Sequence, residues 1–281
     1  MTVGSLFSEL RSKLTEKFSP SEAKEMSLLI FESLKDWTQT DLLIHNNDAV
    51  SDYIVNKATG IVNRTLKGEP LQYILGVAHF YGLKFKVTPA TLIPRPETTE
   101  LVDLIVDNNT DRKDLKVLDL GTGSGCIAIS LARNLKFPLV SAIDISSQAL
   151  AVARENAKAL NVAVDFRQED ILNLPAPAEK YDIIVSNPPY ILTKEAENMD
   201  LNVLDYEPHT ALFVPDNDPL KFYIPIIEFA ERYLDGDGQL YFEINPLCAI
   251  SLSERVKNAG FRNVEIVKDI SGKDRFIYAV R

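Results

Sequence analysis

Cysteine, histidine and tryptophan are scarce: 281 residues include two, three and one of them. Cys126 and Cys248 stand far apart with no second pair, which excludes a disulfide framework and a four-cysteine zinc site. His45, His79 and His209 show no ligand spacing, so no metal is expected. Positive charge is also short. Thirty Lys+Arg against forty Asp+Glu leave a net charge of −10, which counts against a protein that grips nucleic acid through its phosphates. No apolar run approaches the ~18 residues of a membrane helix. The opening Met1-Thr2-Val3-Gly4-Ser5 leads into a charged amphipathic segment, not a secretory leader. At 46% hydrophobic and 25% charged, the chain reads as a soluble cytoplasmic protein of one large domain or two unequal ones.

Residues 1–76 carry a helical period. Leu6, Leu10 and Leu14 recur every fourth position. Ser19, Pro20 and Glu22 form a capping box with proline at the first helical position, followed by a stripe of Met26, Leu29, Ile30 and Leu34. Further helices are expected at Thr40–Asn46 and Asp48–Lys67, which makes a small helical bundle. Residues 77–96 read as a hairpin broken at Gly82 and then a linker marked by Pro89, Pro94 and Pro96. Residues 97–281 alternate strand and helix. Strands fit at Lys116–Leu120, Leu139–Ile145, Val164–Gln168, Tyr181–Ser186, Gln239–Ile244, Asn263–Val267 and Phe276–Val280, with helices at Glu97–Asp107, Ser124–Leu135, Ser146–Leu160, Pro219–Leu234 and Ala249–Ala259. The fold class expected is α/β, with a doubly wound, seven-stranded Rossmann-like sheet behind the helical bundle. The link between the last two strands is too short for a crossover, so the final strand should be antiparallel.

The first strand runs into Gly121-Thr122-Gly123-Ser124-Gly125 and then a helix. A dinucleotide fingerprint wants its third glycine five residues after the first, and that place holds Cys126. The next strand ends in Asp144, about 20 residues on, where a carboxylate can accept both hydroxyls of a ribose. A nucleoside without a pyrophosphate points to S-adenosyl-L-methionine. Asp144 could instead merely cap the helix near Ser146. Asp119 would suit the amine of the methionine end.

The strand Tyr181–Ser186 ends in Asn187-Pro188-Pro189-Tyr190, the most specific feature of the chain. Two prolines stop the strand and stiffen a corner at the sheet's carboxyl edge. The Asn187 side chain and the Pro188 carbonyl offer acceptors for both hydrogens of a planar –NH2 group, and Tyr190 offers a flat face. No strong base is evident there. Catalysis is expected to rest on positioning a weakly nucleophilic nitrogen against an activated methyl and on stabilising the charge it develops.

The sequence resembles the glutamine-N5 methyltransferases of peptide chain release factors, the HemK/PrmC type, along nearly its whole length. Glu69–Gly76, Leu92–Thr98, Asp119–Gly125, Asn187–Tyr190, Tyr206–Phe213 and Phe242–Ile244 carry the likeness. The resemblance implies a class I methyltransferase domain at 97–281 and substrate recognition by the bundle at 1–76. It further implies methyl transfer to the side-chain amide nitrogen of the glutamine in a Gly-Gly-Gln motif, and so a part in translation termination. Gly121, Thr122, Gly123, Ser124, Gly125, Asp144, Asp170, Ile171 and Asn187 would bind the cofactor. Asn187, Pro188, Pro189 and Tyr190 would hold the glutamine, with Asn187, Pro188 and Tyr190 catalytic. Ile171 stands where the family often has an aromatic, and Asn245 where it has glycine. The partners implied are release factors, with no nucleic acid or membrane and a monomeric enzyme.

A DNA adenine or cytosine amino-methyltransferase is the alternative, since a base amine suits the same tetrad. Such an enzyme flips its base and holds the backbone with a basic face, whereas residues 76–281 carry 22 Lys+Arg against 30 Asp+Glu. A nicotinamide oxidoreductase is disfavoured by Cys126, and a silent cofactor-binding adaptor by the intact tetrad. Both cysteines and Trp37 read as core. Arg95 is open between an ion pair and a part in the site.

Overall fold

A computed structural model describes residues 1–281, the side chain of Asn198 excepted. Thr2 caps α1 (Val3–Leu14) and shares a capping box with Ser5. Leu6, Leu10 and Leu14 are buried along one face, each contributing roughly 1.5–3 kcal/mol. α2 (Pro20–Lys35) starts at the Ser19–Glu22 box that its sequence predicts. Its most buried line, however, is Ala23, Ser27, Ile30 and Phe31, while Met26, Leu29 and Leu34 pack at the margins. The small Ala23 and Ser27 give that line little bulk, and Ser27 satisfies its hydroxyl on the Ala23 carbonyl at 2.7 Å. α3 (Gln39–Ile44) follows. α4 (Asp52–Leu66) begins four residues later than expected, because Asp48 is paired with His45 and Ser51 supplies the cap. The short α5 (Leu71–Leu75), not foreseen from the sequence, ends at Gly76.

Strands β1 (Val77–Phe80) and β2 (Leu83–Lys86) form a hairpin. Then come α6 (Pro96–Asn108), β3 (Lys116–Leu120), α7 (Cys126–Asn134), β4 (Leu139–Asp144), α8 (Ser147–Ala159), β5 (Asp165–Gln168) and β6 (Tyr181–Ser186). After them lie β7 (Ile191–Leu192), α9 (Leu201–Tyr206), β8 (Phe213–Val214), α10 (Tyr223–Tyr233), β9 (Leu234–Glu243), α11 (Ala249–Asn258), β10 (Arg262–Lys268) and β11 (Asp274–Val280). The main sheet has seven strands in the order β10-β11-β9-β6-β3-β4-β5. β11 is antiparallel to both neighbours, as its short link predicts, and the pairs among β9, β6, β3, β4 and β5 are parallel. β9 begins five residues before the expected Gln239. A register shift against β6 absorbs the polar Asp235–Gly238 stretch, which no hydrophobic alternation announces.

The chain divides into two compact units, Met1–Val77 with Leu201–Tyr206, and Ala78–Asp200 with Glu207–Arg281. In the second, strand alternation feeds two cores, one on each face of the sheet. Leu118, Leu120, Ile184, Leu240 and Phe242 enter one, and Val117, Ile183, Val185 and Tyr241 the other. Burial on both faces is why β3 and β6 read as nearly unbroken apolar runs. The strand order reverses at β3/β6, so the carboxyl ends of these strands border the crevice where such sheets take ligands.

Candidate active site

The glycine loop joins β3 to α7, and the helix starts at Cys126 instead of the expected Ser124. The Gly125 N–H donates to the Thr122 carbonyl at 2.8 Å, and Gly125 adopts φ +82° as the helix cap. A Cβ on Gly125 would lie 3.0 Å from Ile129 Cδ1 and 3.2 Å from Ala153 Cβ. Close packing of the helix, which a dinucleotide loop assigns to its third glycine, is met here one residue earlier. At Gly123 (φ +56°) a Cβ would meet nothing within 4 Å. Burial lifts the Cys126 thiol to about 12, so it is no nucleophile.

Asp144, the last residue of β4, accepts the Gly123 N–H at 2.8 Å and the Ser146 N–H at 2.9 Å, one on each carboxylate oxygen. Burial raises its pKa against the opposing effect of those N–H groups. Each oxygen keeps acceptor capacity for a ligand. The cap of α8 is not Asp144 but Ser146, whose hydroxyl accepts the Ala149 N–H at 3.1 Å. Asp119 holds the loop from beneath. Its Oδ2 accepts the Thr122 hydroxyl at 2.6 Å and the Ala128 N–H at 3.2 Å. It is fully buried, its carboxyl is pushed up to about 7 by desolvation, and it does not border the cavity described below, contrary to its expected place at the methionine end.

The tetrad follows β6 and is held by a residue the sequence reading did not single out. Glu243, the last residue of β9, is 1% exposed. Its Oε2 accepts the Asn187 Nδ2–H at 2.9 Å and the Thr98 hydroxyl at 2.7 Å, and its Oε1 accepts the Tyr190 hydroxyl at 3.0 Å. Asn187 Nδ2 also donates to Thr98 Oγ1 at 3.3 Å. The two acceptors, themselves 2.7 Å apart, converge on the same side of the Asn187 amide nitrogen, and Oδ1 is left to a ligand. A carboxylate therefore stands behind the tetrad, but its acceptors are directed at protein donors. Burial and Glu243 together raise the Tyr190 phenol well above its ordinary range, so it stays protonated and donates. Asn245, at the glycine place, donates to the Tyr190 carbonyl at 3.2 Å and to Glu195 at 2.8 Å, bracing the tetrad's far end. Arg95 pairs with the buried Glu207 at 2.7 Å, and Glu207 also accepts the Ile93 N–H at 3.1 Å.

Two cavities meet at Asn187. The larger, about 530 Å³, is bordered by Gly121, Gly123, Asp144, Asp170, Ile171, Asn187 and Pro189 among others, with Ile145, Leu172 and Phe222 as apolar wall. The smaller, about 50 Å³, is bordered by Asn187, Pro188, Tyr190, Arg95, Leu92 and Leu212 among others. Thr122, Ser124 and Gly125 border neither. Thr122 and Gly125 shape the turn, and the Ser124 carbonyl accepts from Asn156 at 2.9 Å. Asp170 caps the short turn Ile171–Asn173 through the Leu172 N–H at 2.9 Å. The sequence signals that could have found the two missed carboxylates are the segments Tyr206–Phe213 and Phe242–Ile244, each of which carries one. Among the described residues no group of three His, Cys, Asp or Glu could hold a metal ion, and no helix is long and apolar enough to cross a membrane.

The sheet order, the glycine turn and the acid at the end of β4 define a class I methyltransferase. Residues 98–204 match the Methyltransferase small domain, and the fold is shared with a methyltransferase from Pyrococcus furiosus (TM-score 0.53, 17% identity, 79% of this chain and 98% of that one). Residues 5–76 match the PrmC N-terminal domain. Two curated relatives are both named release factor glutamine methyltransferase. That of Bacteroides thetaiotaomicron is 45% identical, covering 97% of this chain and 98% of its own length. That of Flavobacterium psychrophilum is 43% identical, covering 94% of each. The chain belongs to the release factor glutamine methyltransferase family.

Proposed function

We propose that this protein transfers the methyl group of S-adenosyl-L-methionine to the side-chain amide nitrogen (N5) of the glutamine in the Gly-Gly-Gln motif of a peptide chain release factor. The observation that carries this reading is the pair of cavities sharing Asn187, one of nucleoside size and one of only about 50 Å³. The latter is roughly four water-sized volumes, which suits a planar amide and is small for a purine. The larger cavity fits the cofactor by its donor set. Asp144 retains acceptors for the ribose hydroxyls, Gly123 leaves open space where any side chain would project, and Ile171, Ile145 and Leu172 offer apolar surface to the adenine.

When bound, the cofactor supplies an activated methyl on its sulfonium. The chain's own part is placement. Asn187 Oδ1 and the Pro188 carbonyl accept the two hydrogens of the substrate amide, Pro189 stiffens the corner, and the Tyr190 ring, anchored through its hydroxyl, gives the amide plane a wall. Those acceptors also stabilise positive charge as it develops on nitrogen. Residues 1–76, of which 5–76 match the PrmC N-terminal domain, are assigned to recognition of the release factor. The release factor is taken as the protein partner of a monomeric enzyme, and the cytoplasm is the compartment where release factors act.

The deciding assay offers labelled S-adenosylmethionine with a release factor, its Gly-Gly-Gln to Gly-Gly-Ala variant, and duplex DNA. Label on the intact release factor alone is the expected result. Label on DNA, or equal label on the variant, overturns the assignment.

A further inference from the structure

We infer that Glu243 is a positioning residue that fixes the orientation of the Asn187 side-chain amide and, through it, the acceptor that aligns the substrate nitrogen. The inference rests on the proposed methyl transfer for its kinetic consequence but on geometry alone for the contact. An asparagine amide can sit with oxygen and nitrogen exchanged, and in the exchanged form two hydrogens would face the substrate amide's own hydrogens. Glu243 removes that choice. Burial raises its carboxyl against the opposing pull of the Thr98 and Tyr190 hydroxyls and of Arg275, but both of its oxygens already accept from those two hydroxyls, so Asn187 presents Nδ2 to it, at 2.9 Å. The Thr98 hydroxyl reinforces the setting, for it donates to the same Oε2 at 2.7 Å and thereby turns its lone pairs to Asn187 Nδ2. On the other side Glu243 Oε1 holds the Tyr190 hydroxyl at 3.0 Å. One buried carboxylate thus sets two of the side chains that border the small cavity.

Glu243 is itself held still. Its backbone carbonyl accepts the buried Tyr223 hydroxyl at 2.9 Å, and its Cα is paired with Phe276 of β11. Glu243 borders neither cavity, which separates it from the residues that would touch substrate or cofactor.

Three substitutions test the assignment. Glu243→Leu removes every acceptor at similar bulk. Glu243→Asp keeps the buried carboxyl but withdraws it by one methylene, and keeps the assignment testable should the leucine variant not fold. Glu243→Gln retains one carbonyl oxygen for Thr98 and Asn187. The first readout is hydrogen exchange of the Asn187 side-chain –NH2 in asparagine-15N-labelled protein, which needs no substrate. The second is the steady-state kinetics of methyl transfer to a release factor, with cofactor Kd measured in parallel. Protection of the Asn187 –NH2 is expected in the wild type and in Glu243→Gln, and is lost in the other two. The leucine and aspartate variants should lose about 100-fold in kcat, the cost of a misplacement near 1 Å, while KM for the release factor and Kd for the cofactor stay within about threefold. Glu243→Gln should recover at least a tenth of wild-type kcat. Equal protection in all four proteins, or a Glu243→Asp enzyme with wild-type kcat, overturns the assignment. A wild type that protects the Asn187 –NH2 but labels no Gly-Gly-Gln glutamine supports the positioning role and overturns the proposed substrate instead.

Discussion

Replacing Gly125 by alanine separates stability from binding within the glycine loop. Two costs add. An L-residue in the left-handed region that Gly125 occupies (φ +82°) loses about 1–2 kcal/mol. The new methyl would lie 3.0 Å from Ile129 Cδ1, 3.2 Å from Ala153 Cβ and 3.5 Å from the Ala153 backbone, an overpacking worth about 1–3 kcal/mol. The sum is about 2–5 kcal/mol, and at roughly 2–4 °C per kcal/mol for a unit of this size Tm should fall by about 4–20 °C. Gly123→Ala carries the first cost alone, since its methyl meets nothing within 4 Å, and should lower Tm by roughly 2–8 °C. Gly123 borders the larger cavity and its N–H is bonded to Asp144, so the principal effect of its methyl is on the cofactor. Calorimetric melting of the two ligand-free variants, followed by titration with S-adenosylmethionine, checks both halves. A Gly125→Ala protein that melts no lower than Gly123→Ala would refute the packing argument, and one that stays folded but binds the cofactor worse than Gly123→Ala would refute the division of roles.

Asn187→Ala should abolish methyl transfer while circular dichroism and cofactor binding stay near wild type, and activity above a tenth of normal would contradict its role. Asp144→Ala should chiefly weaken the cofactor, seen as a raised Kd at little changed kcat, and an unaltered Kd would remove Asp144 from the ribose site. Asp119 gives a pH signature. Its carboxyl sits at about 7 in the fold against 3.8 in the open chain, so the native state holds a proton that the unfolded chain has already released. Stability from this group is therefore full below about pH 4 and is lost as pH rises toward 7, an amount of about 4 kcal/mol. Asp119→Asn should flatten that slope in urea midpoints measured from pH 4.5 to 8, and parallel profiles for the two proteins would show the slope arises elsewhere.

The central strands β3 and β6 were legible because burial on both faces writes itself as apolar runs, and the antiparallel last strand because eight residues, Lys268–Arg275, cannot make a crossover. The glycine loop, Asp144 and the tetrad were legible as chemistry at strand ends. Glu243 was not, for its partners Thr98, Asn187 and Tyr190 lie 145, 56 and 53 residues away in the chain, and no local pattern distinguishes an acid that closes such a network from one that faces water. The start of α7 was misplaced for a related reason. Ser124 is a good cap by type, but the positive φ of Gly123 and Gly125 keeps the chain turning for two more residues. The assignment of Leu201–Tyr206 to the same unit as Met1–Val77 is likewise a tertiary fact that its own six residues do not announce.

Asn187 is a wall common to two rooms, and that has a thermodynamic price. Occupants that share a wall are not independent. If the cofactor, by pressing on Asn187, changes the affinity for the amide by some factor, the amide must change the affinity for the cofactor by the same factor. The demethylated cofactor lacks the group that would stand between the rooms, so the same argument ties the hold on the spent cofactor to the hold on the methylated glutamine. Turnover, not only chemistry, then depends on one side chain, and the carboxylate behind it is what keeps that side chain from turning.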